Sequence, residues 1–267
     1  MYKKIILLML IFVINASGDD YEYYFYNPDL DYGSESIFNP ISLFINGSFD
    51  ILRNGAHNKN IFDQPYKTGF NNVVDNVLHP IDNIRNYGVK NFLNREIFNL
   101  EVNKNESQFL PNIGLHLIGN GMQYRKLAEW YDYHEYPNPN LLSIITTISY
   151  RLVNEIVENG SYSGTNVDPI SDMLIFNPLG ILLFSTKAGQ EFFSTKMPIY
   201  DWSMNPYFNP NNYYLENAGQ QYATKIKLKT TDKNALFGYW GVVSTFGISH
   251  TINETDAISF SAGAVVA

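Results

Sequence analysis

The hydrophobic pattern of this chain changes period once, near residue 220, and this change limits the folds open to it. Between residues 73 and 98 the apolar side chains recur at spacings of three and four, as they do on one face of a helix. From Tyr222 onward apolar and polar side chains alternate, which is typical of strands. The expected fold class is therefore α+β, with several amphipathic or apolar helices followed by C-terminal antiparallel strands.

Three further helices are expected in the middle of the chain. The first covers 111–133, and its initial Pro is favourable in a first helical turn. The second covers 141–158 and is nearly uncharged in its first half. The third begins at Asp168-Pro169, and Asn177-Pro178 is expected to kink it because Pro cannot donate a backbone hydrogen bond.

The last quarter of the sequence predicts strands at Tyr222–Thr231, Leu236–His250 and Ala257–Ala267. Apolar residues on one face and small or polar residues on the other are typical of outer-membrane β-barrel strands, although a soluble antiparallel sheet gives a similar pattern. Three strands cannot close a barrel, and an open edge in lipid leaves backbone groups without partners. Either the sequence is a truncated part of a longer barrel protein, which we favour, or the strands form a small sheet against the helices.

The N-terminus predicts export from the cytoplasm. Two lysines, Lys3 and Lys4, precede the uninterrupted apolar run Ile5–Ile14, and the small-residue segment Asn15–Gly18 follows it. This layout is typical of a secretory signal peptide. The apolar run is too short to span about 30 Å of hydrocarbon as a helix. The mature chain is expected to begin near Asp19, with a permanently anchored N-terminus as the alternative.

Composition excludes several classes of function. The chain has no Cys, which excludes disulfides, a thiolate site and a lipid anchor of the lipoprotein type. Its net charge of −8, without a long basic run, excludes nucleic acid as the expected partner. The 20 Tyr residues suit a surface where an apolar and an aqueous phase meet, although a Tyr-rich soluble core gives the same composition.

These patterns divide the chain into five parts. They are a signal peptide (1–18), an extended or poorly ordered arm (19–70), a helical domain (71–195), a linker (196–221) and antiparallel strands (222–267).

Titratable and amide side chains recur on the otherwise apolar predicted helices. His116 and Asn120 lie four residues apart on the first helix, Glu155 lies on the second, and Asp172 and Asn177 lie on the third. Burial of an ionisable group is costly unless the group is paired. We therefore expect His116, Glu155 and Asp172 to converge in one polar cluster, with the two Asn side chains beside them.

Three roles are open to such a cluster. It can be a buried network that only joins helices, or a general acid–base site, since a His beside carboxylates transfers protons. It can also be a divalent-metal site. The sequence has no HxxxH or HExxH spacing, no GxSxG and no P-loop, so neither a metal nor a cofactor is expected.

Short motifs between Asn71 and Tyr222 carry a resemblance to a known group. They are His79-Pro80, Pro111-Asn112, His116–Met122, Glu129–Tyr131, Asn154–Glu158, Ser171–Phe184 and Asn217–Tyr222. In this order they resemble an uncharacterised family of exported, outer-membrane-associated bacterial proteins, and the helical core is similar to that of the VanZ-like and YfiM-like group. Pro178 departs from the pattern of that group. The resemblance implies a double-membraned bacterium, an envelope setting and a helical core leading into barrel-type strands, but no activity.

The expected function is that of a cell-envelope protein of the periplasm or outer membrane, either structural or lipid-interacting. Its expected partners are outer-membrane lipid or other envelope components. The alternative is a membrane-proximal enzyme acting on lipid or glycolipid, with His116 as base, Glu155 as its orienting partner and Asp172 as the second carboxylate. A helical bundle that binds a small ligand is the third interpretation.

Overall fold

The computed structural model combines helices with antiparallel strands, which confirms the α+β class. It describes residues 22–30, 36–54, 58–98, 112–161, 166–228, 233–241, 243–254 and 256–265. The predicted signal peptide, 1–18, lies outside these residues.

Among the described residues, the helices precede all of the strands. They are α1 (Pro40–Ser48), α2 (Tyr66–Leu78), α3 (Pro80–Tyr87), α4 (Val89–Phe92 with the π-helical turn Leu93–Ile97), α5 (the π-helical Asn112–Gly119 continued by Asn120–Tyr133), α6 (Pro139–Glu158), α7 (Asp168–Phe184) and α8 (Lys187–Lys196). Helix α7 contains a π-helical turn at Asp172–Phe176, directly before Asn177-Pro178. The expected disturbance at Pro178 is thus a widened turn, which suits a residue that has no backbone N–H to donate.

Helices α5, α6 and α7 lie at the centre of the helical part. Glycines let α5 and α7 approach closely: a Cβ on Gly180 would lie 2.4 Å from the Leu117 carbonyl oxygen, and one on Gly121 would lie 2.7 Å from the Gly180 carbonyl oxygen. On the other side, Ser143 of α6 donates to the backbone carbonyl of Tyr124 in α5. These contacts bring three helices together along their polar faces.

Five strands form one antiparallel sheet in the order β1-β4-β5-β6-β7, and two strands form a separate hairpin, β2-β3. The strands are β1 (Ile199–Asp201), β2 (Tyr207–Asn209), β3 (Tyr214–Glu216), β4 (Tyr222–Lys227), β5 (Asn234–Trp240), β6 (Val243–Thr251) and β7 (Ala257–Val265). Trp240 joins the sheet to the helices, because its indole nitrogen donates to the Gly114 carbonyl of α5 at 3.1 Å.

The prediction of one long strand over Leu236–His250 is wrong. The chain reverses near Gly241, and β5 and β6 pair with each other as an antiparallel hairpin. A Cβ at Gly241 would lie 2.3 Å from Gln221 Nε2, so a larger residue at this bend would require the Gln221 side chain to move. Alternation continues on both sides of the turn, which is why the pattern alone did not reveal it.

The structure also differs from the expected linker and arm. Residues 196–221 contain β1, which pairs with β4, and the β2-β3 hairpin. Within 19–70, helix α1 packs in the core, and helix α2 begins at Tyr66. Upstream of α1, the backbone N–H groups of Phe25 and Tyr26 donate to Glu129 at 2.8 and 2.7 Å. The segment from Glu22 to Tyr26 is therefore fixed to α5, because its aromatic side chains and backbone donors find partners there.

Among the described residues, no single helix has both the length and the apolar composition needed to cross a membrane. Helices α7 and α8 meet these criteria only as a pair, and the chain bends by 85° between them.

Candidate functional site

The structure brings the three titratable residues predicted from sequence into one cluster. His116 of α5, Glu155 of α6 and Asp172 of α7 each offer a nitrogen or oxygen atom, and these atoms lie within 4.8 Å of one another. All three residues are buried, with exposed fractions of 6%, 0% and 2% respectively. We call these three residues the His–carboxylate centre.

The imidazole of His116 is held between two residues of α7. Its Nε2 lies 3.2 Å from Asp172 Oδ2, and its Nδ1 lies 3.2 Å from Asn177 Oδ1. With the Asn177 oxygen as acceptor, Nδ1 carries the ring hydrogen and Nε2 presents a lone pair. The direct partner of His116 is thus Asp172, which corrects the expectation that Glu155 would orient the imidazole.

The π-helical turns place these side chains. His116 lies in the π-helical start of α5, and Asp172 is the first residue of the π-helical turn in α7. A wider turn shifts the side chains on it relative to an α-helical register, and such turns are frequent at functional sites. Sequence spacing assumes a uniform 3.6-residue period, so it does not reveal this shift.

Asn120 lies beside the centre but serves the packing of the helices. Its Oδ1 accepts hydrogen bonds from Arg151 Nε at 3.0 Å and from the Tyr150 hydroxyl at 3.1 Å. Arg151 is buried and also donates to the Leu115 carbonyl and to Gln220 Oε1. Arg151 therefore joins α6 to α5 and to the chain before β4, and its hydrogen bonds are directed away from the carboxylates.

Three more carboxyl groups, which are not among the site residues predicted from sequence, surround the centre. Glu96 comes from the π-helical turn of α4, Asp168 from the start of α7 and Glu158 from the end of α6. Asp168 and Glu158 lie one turn from Asp172 and Glu155, so helical spacing could have identified them. Glu96 gives no such signal, because α4 reaches the site only through the tertiary fold.

Burial dominates the titration of the centre. Loss of solvation holds the pKa of His116 well below its ordinary value of 6.5, and nearby Arg151 lowers it further. Burial raises the pKa of Asp172 and of Glu155 well above their ordinary values, and the carboxyl group of Asp168 raises both further. In the protein alone, His116 and Asp172 are therefore a neutral hydrogen-bonded pair and not an ion pair.

The surrounding carboxyl groups shift in the same direction. Burial, together with the charge of Asp168, raises the pKa of Glu96 and of Glu158 to about 8. Burial raises the pKa of Asp168 to about 6. Within the described residues, Glu96 Oε2 and Asp168 Oδ1 are buried and accept no hydrogen bond from a donor, so one proton shared between the two carboxyl groups would satisfy both.

A second feature lies on the five-stranded sheet, where one face carries large apolar side chains. Leu236, Ile248 and Phe260 are directly opposite one another on β5, β6 and β7. Phe246 and Ile258 extend this row on the same face. The exposed fractions of the five side chains run from 46% to 74%. We call these five residues the apolar sheet face.

The opposite face of the same sheet carries polar side chains together with aromatic ones, such as Phe237 and Tyr239 of β5. Lys225 and Lys227 are exposed on β4, and Ser249 and Ser259 are hydrogen-bonded to each other across β6 and β7. A cavity of about 490 Å³ lies on this side, between the end of α8 and the sheet, with the two lysines in its wall. The exposed lysines of β4 and the apolar sheet face thus lie on opposite sides of the sheet, as its alternation predicted.

No protein-family model matches this chain, and no curated protein or solved structure is significantly similar to it. The resemblance drawn from the sequence motifs stays a prediction, and function is argued from the geometry of the two features described above.

Proposed function

We propose that the protein is a lipid-interacting protein of the cell envelope, and that the apolar sheet face lies against a bilayer. The observation that carries this proposal is the exposure of the face. Phe246 and Phe260 are 66% and 74% exposed, and Leu236, Ile248 and Ile258 continue the same surface. A contiguous exposed apolar patch of this kind marks a surface that contacts a membrane or another protein.

The chemistry of the face favours lipid over a protein partner. Its Leu, Ile and Phe side chains offer neither hydrogen-bond donors nor acceptors. A protein interface typically carries about one hydrogen bond per 100–200 Å², whereas hydrocarbon needs none. Lys225 and Lys227 on the opposite face remain in water when the sheet lies on a bilayer, so binding leaves their solvation unchanged.

The envelope setting rests on the predicted signal peptide, 1–18, and on the motifs between Asn71 and Tyr222. An exported chain meets the outer leaflet of the inner membrane and the inner leaflet of the outer membrane. Either leaflet provides the hydrocarbon that the apolar sheet face requires.

Flotation with vesicles of phosphatidylethanolamine and phosphatidylglycerol tests this function. The double variant Phe246→Ser/Phe260→Ser should lower the partition coefficient of the protein at least tenfold, since burial of one Phe side chain contributes about 1.5–3 kcal/mol. Because both rings are largely exposed, the substitutions should leave the thermal unfolding midpoint unchanged within about 2 °C.

The matched control is Phe62→Ser/Phe98→Ser, which removes two rings of similar exposure, 71% and 67%, outside the sheet. This variant should float like the wild type. All proteins carry the same N-terminus, so the apolar run Ile5–Ile14 contributes equally to each. Undiminished flotation of the sheet variant, or an equal loss in the control, would reject the apolar sheet face as the lipid contact.

A second candidate function is hydrolysis of lipid or glycolipid at the His–carboxylate centre. The contact of 3.2 Å between His116 Nε2 and Asp172 Oδ2 favours it, because a neutral imidazole beside a carboxyl group suits general acid–base chemistry. Turnover of the vesicle lipid by the wild-type protein in the same assay would place this function first.

A further inference from the structure

We propose that His116, Glu155 and Asp172 together bind one divalent transition-metal cation. This inference goes beyond lipid association, and its test requires no lipid. It also replaces the expectation from sequence that the chain binds no metal.

The spacing of the three side chains fits one ion. Zinc–nitrogen and zinc–oxygen bonds of about 2.0–2.2 Å place neighbouring ligand atoms roughly 3.4 Å apart in a tetrahedral site. His116 Nε2 and Asp172 Oδ2 already lie 3.2 Å apart, and all three ligand atoms lie within 4.8 Å. A contraction of no more than about 1.5 Å, which a side-chain rotation of Glu155 can supply, completes the site.

Each of the three side chains is held by a neighbour at the atom that a metal would not use. Asn177 Oδ1 lies 3.2 Å from His116 Nδ1. The Ser171 hydroxyl lies 3.3 Å from Asp172 Oδ1, and Asn159 Nδ2 lies 3.4 Å from Glu155 Oε2. Hydrogen bonds of this kind orient metal ligands and fix the tautomer of a metal-binding His.

The remaining atoms of the three side chains are His116 Nε2, Asp172 Oδ2 and Glu155 Oε1. In the protein alone the neutral Asp172 carboxyl group donates to His116 Nε2, but once Asp172 loses its proton neither the imidazole lone pair nor the carboxylate oxygen can donate a hydrogen bond. Glu155 Oε1 is buried and receives no well-directed hydrogen bond from the described residues, although the Glu155 carboxyl group lies beside that of Asp172. A cation between these atoms would satisfy all of them at once.

The charge around the centre also favours a cation. Five carboxyl groups lie in and around it, namely Glu96, Glu155, Glu158, Asp168 and Asp172. Arg151 is a buried cation on the same helix as Glu155 and Glu158. Its guanidinium is hydrogen-bonded to Asn120, Leu115 and Gln220. A dication would replace the protons that these carboxyl groups otherwise hold, and it would offset two negative charges at a point where Arg151 makes no hydrogen bond.

The donor set selects the class of ion. One imidazole nitrogen with two carboxylate oxygens suits Zn²⁺, Mn²⁺ or Fe²⁺. Ca²⁺ requires six to eight oxygen ligands, and Mg²⁺ binds reluctantly to nitrogen and keeps several waters. The three side chains leave at least one coordination position open, as catalytic zinc sites do.

Titration calorimetry of the untagged full chain with Zn²⁺ and with Mn²⁺ tests the proposal. One equivalent of at least one of these ions should bind with micromolar or tighter affinity. The isosteric variants Glu155→Gln and Asp172→Asn should each weaken binding more than tenfold, because loss of even an outer-shell partner typically weakens metal binding 10- to 100-fold. A matched control is His79→Gln, which removes an exposed His whose Nδ1 lies 3.0 Å from Asp75 Oδ1.

A spectroscopic readout does not depend on the folding of any variant. Co²⁺ added to the wild-type protein should give visible absorption bands at one equivalent, and Zn²⁺ should abolish them. Three results would overturn the proposal: no binding of Zn²⁺ or Mn²⁺ up to millimolar concentration, wild-type affinity in both carboxamide variants, or an equal loss in His79→Gln. After any of these results, the carboxyl groups would be explained by shared protons and not by a metal ion.

Discussion

At the scale of single residues, helical spacing was sufficient to select the members of the His–carboxylate centre but not their contacts. His116, Glu155 and Asp172 were chosen because each is an ionisable group on an apolar helix, and burial forces such groups to find one another. Which carboxylate contacts His116 depends on the π-helical turns, which a uniform helical period does not predict. Glu96 was missed because only the tertiary fold brings α4 to the site.

A buried ion pair elsewhere in the helical part gives a prediction at this scale. Lys126 Nζ lies 3.2 Å from Asp201 Oδ2, and both side chains are buried. Burial raises the pKa of Asp201, but the Lys126 ammonium and the hydrogen bonds from Ser203 outweigh burial and leave the pKa below its ordinary value of 3.8. At a pH near 3.8, the folded protein therefore binds fewer protons than the unfolded chain.

Asp201→Asn should lower the free energy of unfolding at pH 7 by about 3 kcal/mol, because it leaves the Lys126 charge buried without its carboxylate. The stabilisation by Asp201 is fully present above about pH 4 and is lost as the pH falls through the folded pKa, so the two proteins should converge in acid. Urea unfolding at pH 7 and pH 3 measures this. Glu216→Gln, which breaks the half-exposed pair with Lys59, should change stability by less than about 1 kcal/mol. If the free energy of unfolding of Asp201→Asn differed from that of the wild type by the same amount at pH 7 and pH 3, the stabilising ion pair between Lys126 and Asp201 would be contradicted.

At the scale of helices and strands, the elements in the middle of the chain were predictable from the helical spacing of their apolar residues. The helix predicted over 111–133 is described as Asn112–Tyr133, and the helix predicted over 141–158 as Pro139–Glu158. The single strand over Leu236–His250 failed because a turn at Gly241 leaves the alternation intact on both sides. Alternation reports which face a side chain occupies, but it does not report the direction of the strand.

The contact between α5 and α7 gives a prediction at this scale. Gly180→Ala should lower the free energy of unfolding by about 1–3 kcal/mol, because the new Cβ would lie 2.4 Å from the Leu117 carbonyl oxygen and would force the helices apart. Gly114→Ala is the matched control on α5, where the new Cβ would meet Trp240 at an ordinary distance of 3.4 Å. Thermal unfolding followed by circular dichroism compares the two. Equal midpoints for Gly180→Ala and wild type would show that the helices do not require this approach.

At the scale of the whole molecule, the two features lie on different parts of the fold. Helices α5, α6 and α7 enclose the His–carboxylate centre, whereas the apolar sheet face is formed by β5, β6 and β7. The fold class was predictable because the two hydrophobic periods occupy separate parts of the sequence. The packing of residues before 71 onto the helices was not predictable, because segments such as 22–30 have no period of their own.

Contact of the apolar sheet face with lipid is the central claim, and site-specific fluorescence measures it most directly. Because the chain has no Cys, Phe246→Cys accepts one environment-sensitive fluorophore without competing thiols. Vesicles of phosphatidylethanolamine and phosphatidylglycerol should shift the emission at position 246 to shorter wavelength, and a quencher attached to the lipid chains should reduce it. The same label at Phe62→Cys should keep its emission in water. Unchanged, water-like emission at position 246 in the presence of vesicles would contradict the account.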